Sequence, residues 1–412
     1  MTWRPGLSAL VDDALVVVTP AEREPAETLL ADLFACVFGA DAGNAPHGWQ
    51  NDGTAGLGAT LAMRAHARDQ DDLHWPTGVH PGSVVWPVVL AVGAEVKATG
   101  DETLRAARAG YNAMTRLALE LGTDHARTWH ATATCGALGA SISAAILLRL
   151  TTDQIHEAAA HAVAMAGGVG QALLERSGTT LFHRIAASGT GIQAARLAAS
   201  GVRGSHDPLL GDRGVVALLA PHARIRDEPG RVPDALATSS VRVFPVNGFA
   251  QGAVALAAQL GRETGPEVDD LAVEVAPTVA DATTGAVGGD WWDIRSAVAA
   301  AWTSGDPFVL EPSDRSTELR ARVRVVPRPG CATTATRLVA VTPHGTRHAE
   351  LATPPGARLD DPELRPLLAR KWERLVGPQQ GGAGFARSLA QMALSAGPGR
   401  LHLREHLANS GD

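Results

Sequence analysis

Four short polar stretches hold most of the residues that could do chemistry. The first runs Asp69-Gln70-Asp71-Asp72-Leu73-His74 and ends at His80-Pro81-Gly82. A proline after His80 disfavours helical backbone there, which sets its ring at a helix entrance. The second is Trp129-His130-Ala131-Thr132-Ala133-Thr134-Cys135-Gly136, opening a helix expected from residue 137. Free N–H groups and the helix dipole at such an end suit an anionic ligand. The third is His183-Arg184, ahead of a helix expected over 186–200. The fourth is Arg242-Val243-Phe244-Pro245-Val246-Asn247. Histidine suits proton transfer because its pKa lies near neutrality. Arginine can grip a carboxylate with two parallel hydrogen bonds. Taken singly, each stretch reads as well as a solvated loop or a helix cap.

Other chemistries lose their support on spacing or composition. His156-Glu157 with His161 resembles HExxH, but the second histidine is five residues on, about 140° round a helix, so both cannot ligate one zinc. The aspartate-rich stretch at 69–74 lacks the glycine and the distal glutamate of a calcium loop. No GxSxG, Walker A or GxGxxG pattern occurs. Cys36, Cys135 and Cys331 lie far apart, against a disulfide scaffold, zinc ribbon or four-cysteine cluster. Lys97 and Lys371 are the only lysines, both in sequence that reads as exposed helix, so a Schiff base is disfavoured. No metal-ligand set is read from the chain. A formal net charge of -7 and the absence of a basic stripe argue against nucleic acid. The longest apolar run, Val84 to Val92, is far short of the roughly 20 residues that span a bilayer. With no signal-peptide core after Met1, a soluble, cytoplasmic protein is expected.

The elements that must carry these stretches are mainly helical. At 412 residues, two or three domains of roughly 150 residues are expected. Apolar residues from Leu104 to Leu121 recur at helical spacing, with Asp101 as expected N-cap and Gly122 as stop. Thr151 to Gln154 offers a capping box for a helix ending at Gly167-Gly168. Helices at about 137–149 and 186–200 carry so many Ala, Gly and Ser that their backbones can approach closely. The character changes near residue 236. A helix at 246–262 leads to an alternating strand at Leu271–Val275, a helix at 291–304, a strand from Leu319 to Val326, and a hairpin over Arg337–Leu351 turning at Pro343-His344-Gly345. Leu364–Leu375 and Ala386–Leu394 read as helix again. The expectation is a mainly α protein: a large all-helical domain at 1–235, to which 380–412 returns, and a smaller α+β domain at 236–379.

In order and spacing the stretches resemble the MmgE/PrpD family. The resemblance runs through His80-Pro81-Gly82, Gly110-Tyr111, Trp129-His130-Ala131-Thr132 with Gly136-Ala137-Leu138-Gly139-Ala140, His183 before Gly191-Ile192-Gln193-Ala194-Ala195, Leu209-Leu210-Gly211-Asp212-Arg213-Gly214, and Arg242-Val243-Phe244-Pro245. It covers about residues 45–250. The family includes 2-methylcitrate dehydratase, cis-aconitate decarboxylase and iminodisuccinate epimerase. The resemblance implies a helical domain with a smaller α+β lid, a cleft between them, a homodimer, and no metal or organic cofactor. It also implies catalytic roles for His130, His80 and His183, and substrate-binding roles for Asp69, Asp72, His74, Thr132, Arg242 and Asn247.

The departures from the family pattern bear on the substrate. The family's lysine ahead of the third histidine falls at Thr180, Arg242 stands where a lysine is usual, and Asn247 replaces the histidine of cis-aconitate decarboxylases. The family's tyrosine in the lid helix aligns with Ser296. Such a pocket loses cations and a phenol while keeping three histidines, which argues against a tricarboxylate unless Arg184 or Arg295 points inward. The sequence therefore reads as a cofactor-independent lyase performing β-elimination on a small or medium carboxylate or related polar metabolite, in specialised metabolism. Decarboxylation or epimerisation through the same carbanion is the alternative, and a non-catalytic metabolite-binding relative is another.

Overall fold

The structure is a computed structural model that describes residues 5–15, 20–40, 53–225, 234–284, 292–377 and 380–409. The chain divides into two compact units, one of Met1–Ser239 with Trp372–Asp412, the other of Ser240–Lys371. The crossover thus falls inside the helix Leu364–Val376, some residues before the expected return at 380. Trp372 already belongs to the helical unit, where its indole N–H donates to the buried carboxylate of Asp32 at 2.9 Å. Lys371, read from sequence as exposed, is buried.

In the helical unit the helices that build the site region are, in chain order, α1 (Pro5–Ala14), α2 (Arg23–Phe38), α3 (Gly53–His66), α4 (Gly82–Glu95), α5 (Gly100–Thr128), α6 (Ala131–Leu147), α7 (Thr152–Ala164), α8 (Gln171–Leu174) and α9 (Thr179–Ala199), and Gly382–Ala396 returns to the unit as a further helix. The centre is α6, which packs against α4, α5, α7 and α9. Its residues from Thr132 to Leu147 are all buried, as expected of a helix that is apolar or small all round. Small residues let α9 close on it: a Cβ on Gly191 would collide with Ala140.

Several expected boundaries move. The cap of α5 is Thr99 in a reciprocal capping box with Glu102, rather than Asp101. Gly122 takes a left-handed φ of 71° and breaks the helix geometry there, yet helical backbone resumes and runs on to Thr128. The capping box at Thr151 and Gln154 forms, but α7 ends at Ala164 rather than at Gly167-Gly168. Helix α6 begins at Ala131 instead of 137, so His130 is its N-cap residue. Helix α9 begins at Thr179 instead of 186, so His183 and Arg184 lie inside its second turn rather than before it. At the start of α6, small and polar residues that read as loop are drawn into helix by burial, since every residue from Thr132 on is buried.

The smaller unit holds a four-stranded mixed sheet, β1 (Asp270–Val275), β2 (Val323–Pro327), β3 (Thr336–Thr342) and β4 (Gly345–Leu351), in the order β2-β1-β3-β4. β1 pairs parallel to β2 and antiparallel to β3, and β3 and β4 form the expected hairpin. Leu319, expected in a strand, lies in the helix Asp314–Arg320, because Ser313 caps that helix reciprocally with Ser316. Helices α10 (Gln251–Thr264) and α11 (Ile294–Ser304) pack together, and α10 also packs on β3 and β4.

Candidate active site

Asp69 to His80 forms a tight loop between α3 and α4. Asp69, three residues past the end of α3, sits in the left-handed region at φ 50°, its N–H on the carbonyl of His66. An isolated bridge between His74 and Val79 closes the far end of the loop. Asp72 reaches from the loop to the start of α4, where its Oδ1 accepts the Gly82 N–H at 2.8 Å. Only glycine fits there, since a Cβ on Gly82 would lie 2.7 Å from that oxygen. The other oxygen of Asp72 accepts the Tyr111 hydroxyl from α5 at 2.8 Å.

His80 then falls immediately before α4. Its Nδ1 contacts the Asp72 carbonyl oxygen at 2.6 Å. A carbonyl only accepts, so Nδ1 carries a proton. The backbone N–H of His80 donates to the Thr132 hydroxyl at 3.3 Å, joining this loop to the first turn of α6.

Asp71 is the hub of the loop. Its carboxylate lies 2.8 Å from His66 Nδ1, 3.7 Å from His80 Nδ1 and 3.9 Å from Arg184 Nε. The His66 and His80 rings are 5.8 Å apart, centroid to centroid. Arg184 is buried, donating also to the Ser83 hydroxyl at 3.2 Å and the Thr180 carbonyl at 2.9 Å. It therefore does point inward, but onto Asp71 and the α4 entrance. His66, Asp69 and Asp71 offer ligand atoms within 4.8 Å of one another, the one such trio among the described residues. Asp71 is already balanced by Arg184 and hydrogen-bonded to His66, so a cation there would have to displace existing partners.

The second cluster is a histidine pair. His130 is fixed by its position as N-cap of α6, with its N–H on the Gly168 carbonyl at 2.7 Å. His183 comes from the second turn of α9. Their Nδ1 atoms are 2.9 Å apart and their ring centroids 5.1 Å. Burial, then Arg184, then His183, holds His130 well below the usual histidine range. Burial and Arg184 lower His183 as well. Both rings are therefore neutral near pH 7. A cavity of about 500 Å³ opens beside His183, against the first turns of α6 and α9.

Burial, with Asp71 as the next cause, pushes the Asp72 carboxyl up to about 7. Burial drives the Tyr111 phenol well above its ordinary value. Burial lowers His66, and takes His74 down to about 4. His74 uses both ring nitrogens on hydroxyls, Thr77 at 2.8 Å and Thr238 at 3.3 Å. Those are the bonds of a neutral ring bracing the loop. The Cys135 thiol, in the same turn of α6, is buried and pushed up in pKa, which makes it a poor nucleophile.

Of the nine residues named from sequence, the helical unit gathers His80, His130, His183, Asp69, Asp72, His74 and Thr132 around the entrances of α4 and α6 and the second turn of α9. Arg242 and Asn247 belong to the smaller unit. Arg242 is buried there. The amide of Asn247 caps a turn, accepting from the Ala250 N–H at 3.2 Å and reaching the Trp292 carbonyl at 3.5 Å. Gln251 pins the same segment through both the N–H and the carbonyl of Phe244. Ser296 donates to Asp293 at 3.0 Å, and Arg295 pairs with the same carboxylate. Sequence reasoning left out His66 and gave Asp71 and Tyr111 no role. The signal for His66 was its place three residues before Asp69, which returns it to the aspartate loop.

Fold and site together define a class: a mainly helical protein with a small mixed sheet, whose histidines and aspartates converge at helix entrances. A family model for the MmgE/PrpD N-terminal domain matches residues 21–228. The chain belongs to the MmgE/PrpD family, a family that includes lyases such as 2-methylcitrate dehydratase. A search of curated proteins returned no match.

Proposed function

We propose that the protein is a cofactor-independent lyase that performs β-elimination on a small or medium carboxylate or related polar metabolite, as part of specialised metabolism. The observation that carries this is the 2.9 Å contact between the Nδ1 atoms of His130 and His183. Two neutral imidazoles joined in this way must be opposite tautomers. The ring that donates from Nδ1 presents a bare Nε2, which is a base. The ring that accepts at Nδ1 presents Nε2–H, which is an acid. Elimination needs that combination.

In the proposed step His183, the ring of the pair that lines the cavity, takes at Nε2 the proton from the carbon beside the substrate carboxylate while its Nδ1 proton passes to His130. The electron pair left behind forms the carbon–carbon double bond as His183 gives its Nε2 proton to the leaving hydroxyl, which departs as water. The proton held by His130 returns along the Nδ1 contact, which restores two neutral rings in their starting tautomers. His80 adds a third imidazole at the entrance of α4, with Asp69 and Asp72 shaping its loop. Epimerisation is a second reading, since the carbanion formed at His183 can be reprotonated on its other face. Solvent deuterium entering recovered substrate without loss of a leaving group identifies that case.

The test is His130→Gln, which keeps hydrogen-bonding reach but removes proton transfer. Turnover per folded molecule should fall by roughly 10²–10⁴, with substrate binding much less affected. Near-normal turnover with a depressed melting temperature would make His130 a structural cap and remove it from the mechanism.

A further inference from the structure

We infer that the cavity beside His183 receives an uncharged, largely apolar arm of the substrate, so the substrate is a monocarboxylate-type molecule with such an arm rather than a compact polyanion. The inference rests on the lyase reading for which end of the ligand reacts, and on the cavity itself for what the other end is.

The cavity, about 500 Å³, falls within the size range of ligand sites, roughly 300–1,000 Å³. His183 of the imidazole pair lines it, so a molecule in the cavity can set its reacting end against that ring. Its walls are the small faces of α6 and α9, where Ala133, Ala137 and Ala187 leave the space open. Its rim is Met165, Val169 and Phe182, exposed at 71%, 58% and 61%. Such a rim buries well only against apolar matter. Among the described residues no lysine or arginine lines it, and the one formally charged lining residue is Glu175. Arg184, next in sequence to His183, is committed to Ser83, Thr180 and the neighbourhood of Asp71. A second carboxylate placed in this cavity would meet Glu175 and no cation, an uncompensated cost.

The test measures binding, without turnover, by ligand-observed NMR titration of straight-chain monocarboxylates from acetate to octanoate. Dicarboxylates of the same lengths, and the variants Ala186→Phe and Ala186→Ser, complete the set. Ala186 is an exposed lining residue one turn along α9 from His183, so its replacement leaves the core intact, which melting temperature checks. Affinity should rise about two- to fourfold per methylene in the unmodified protein. It should flatten in Ala186→Phe and persist in Ala186→Ser, and a terminal second carboxylate should weaken binding tenfold or more. A flat series, tighter binding of the dicarboxylates, or a rise that Ala186→Phe leaves untouched would overturn the inference. So would an Ala186→Phe protein whose oligomeric mass changes, because a second copy would then be what covers this face. A normal His130→Gln turnover would sink the lyase reading while leaving the chain-length series to stand or fall alone.

Discussion

Asp72 does with one carboxylate what the loop and two helices need: it holds the Gly82 N–H, accepts the only tyrosine hydroxyl of the chain, and carries the carbonyl on which His80 rests. Burial and the neighbouring Asp71 raise its pKa to about 7, against an ordinary value of 3.8. A raised acid binds more protons folded than unfolded between those two values. Its contribution to stability is therefore full below about pH 4 and is lost as pH rises towards about 7. Asp72→Asn removes the titration and can still bond both partners, accepting from Gly82 and donating to the Tyr111 oxygen. The melting temperature of the unmodified protein minus that of Asp72→Asn should fall between pH 4 and pH 7 and level off above it. A difference that stays flat, or rises, over that range would show that Asp72 is ionised throughout. His74 works in the opposite sense, since its lowered pKa of about 4 adds stability as pH rises from there to 6.5. The comparison with Asp72→Asn, rather than the raw curve, isolates the carboxylate.

At the scale of elements, the site depends on how closely α9 lies on α6, because that crossing sets His183 against His130. Two glycines of α9 make opposite predictions. Gly191 faces Ala140 and its backbone at a distance no side chain can share. Gly191→Val should push the helices apart, cost roughly 1–3 kcal/mol or more in denaturant unfolding, and lower turnover by moving His183. Gly189 has open space where a Cβ would stand, and Gly189→Ala should stabilise the helix by roughly 0.5–1 kcal/mol. Equal effects of the two changes would mean that helix propensity, and not the crossing, governs this element.

At the scale of the whole molecule, the family resemblance implies a homodimer joined through the helical unit. That unit leaves Val202, Leu210 and Leu218 exposed in addition to the cavity rim. Light scattering at micromolar concentration should therefore give about twice the chain mass of 42.7 kDa. A single species at the chain mass would show that these residues stay in water and that the site works within one copy. No helix among the described residues is long and apolar enough to cross a membrane.

Much was legible in the sequence because its signals are local. The Thr151–Gln154 capping box, the two-residue turn between β3 and β4, and the proline that sets His80 ahead of α4 each follow from neighbours a few residues apart. The histidine-bearing stretches could be ordered against a family, and that named seven residues which the helical unit gathers. Tertiary structure decided the rest. Residues 131–136 read as loop because their small and polar side chains have weak helix preference, and burial against α4 and α9 supplies what propensity lacks, while in 179–185 it is the buried His183 and Arg184 that tie the first turns of α9 to the core. That same burial turned His183 from a loop residue into a helix residue facing His130. It directed Arg184 onto Asp71 rather than into the cavity, and it moved the carboxyl of Asp72 and the imidazoles of His66, His74, His130 and His183 away from their ordinary pKa values. Proton affinity depends on what surrounds a group in space, and the sequence around His130 and His183, 53 residues apart, carries no local mark that the two rings will meet.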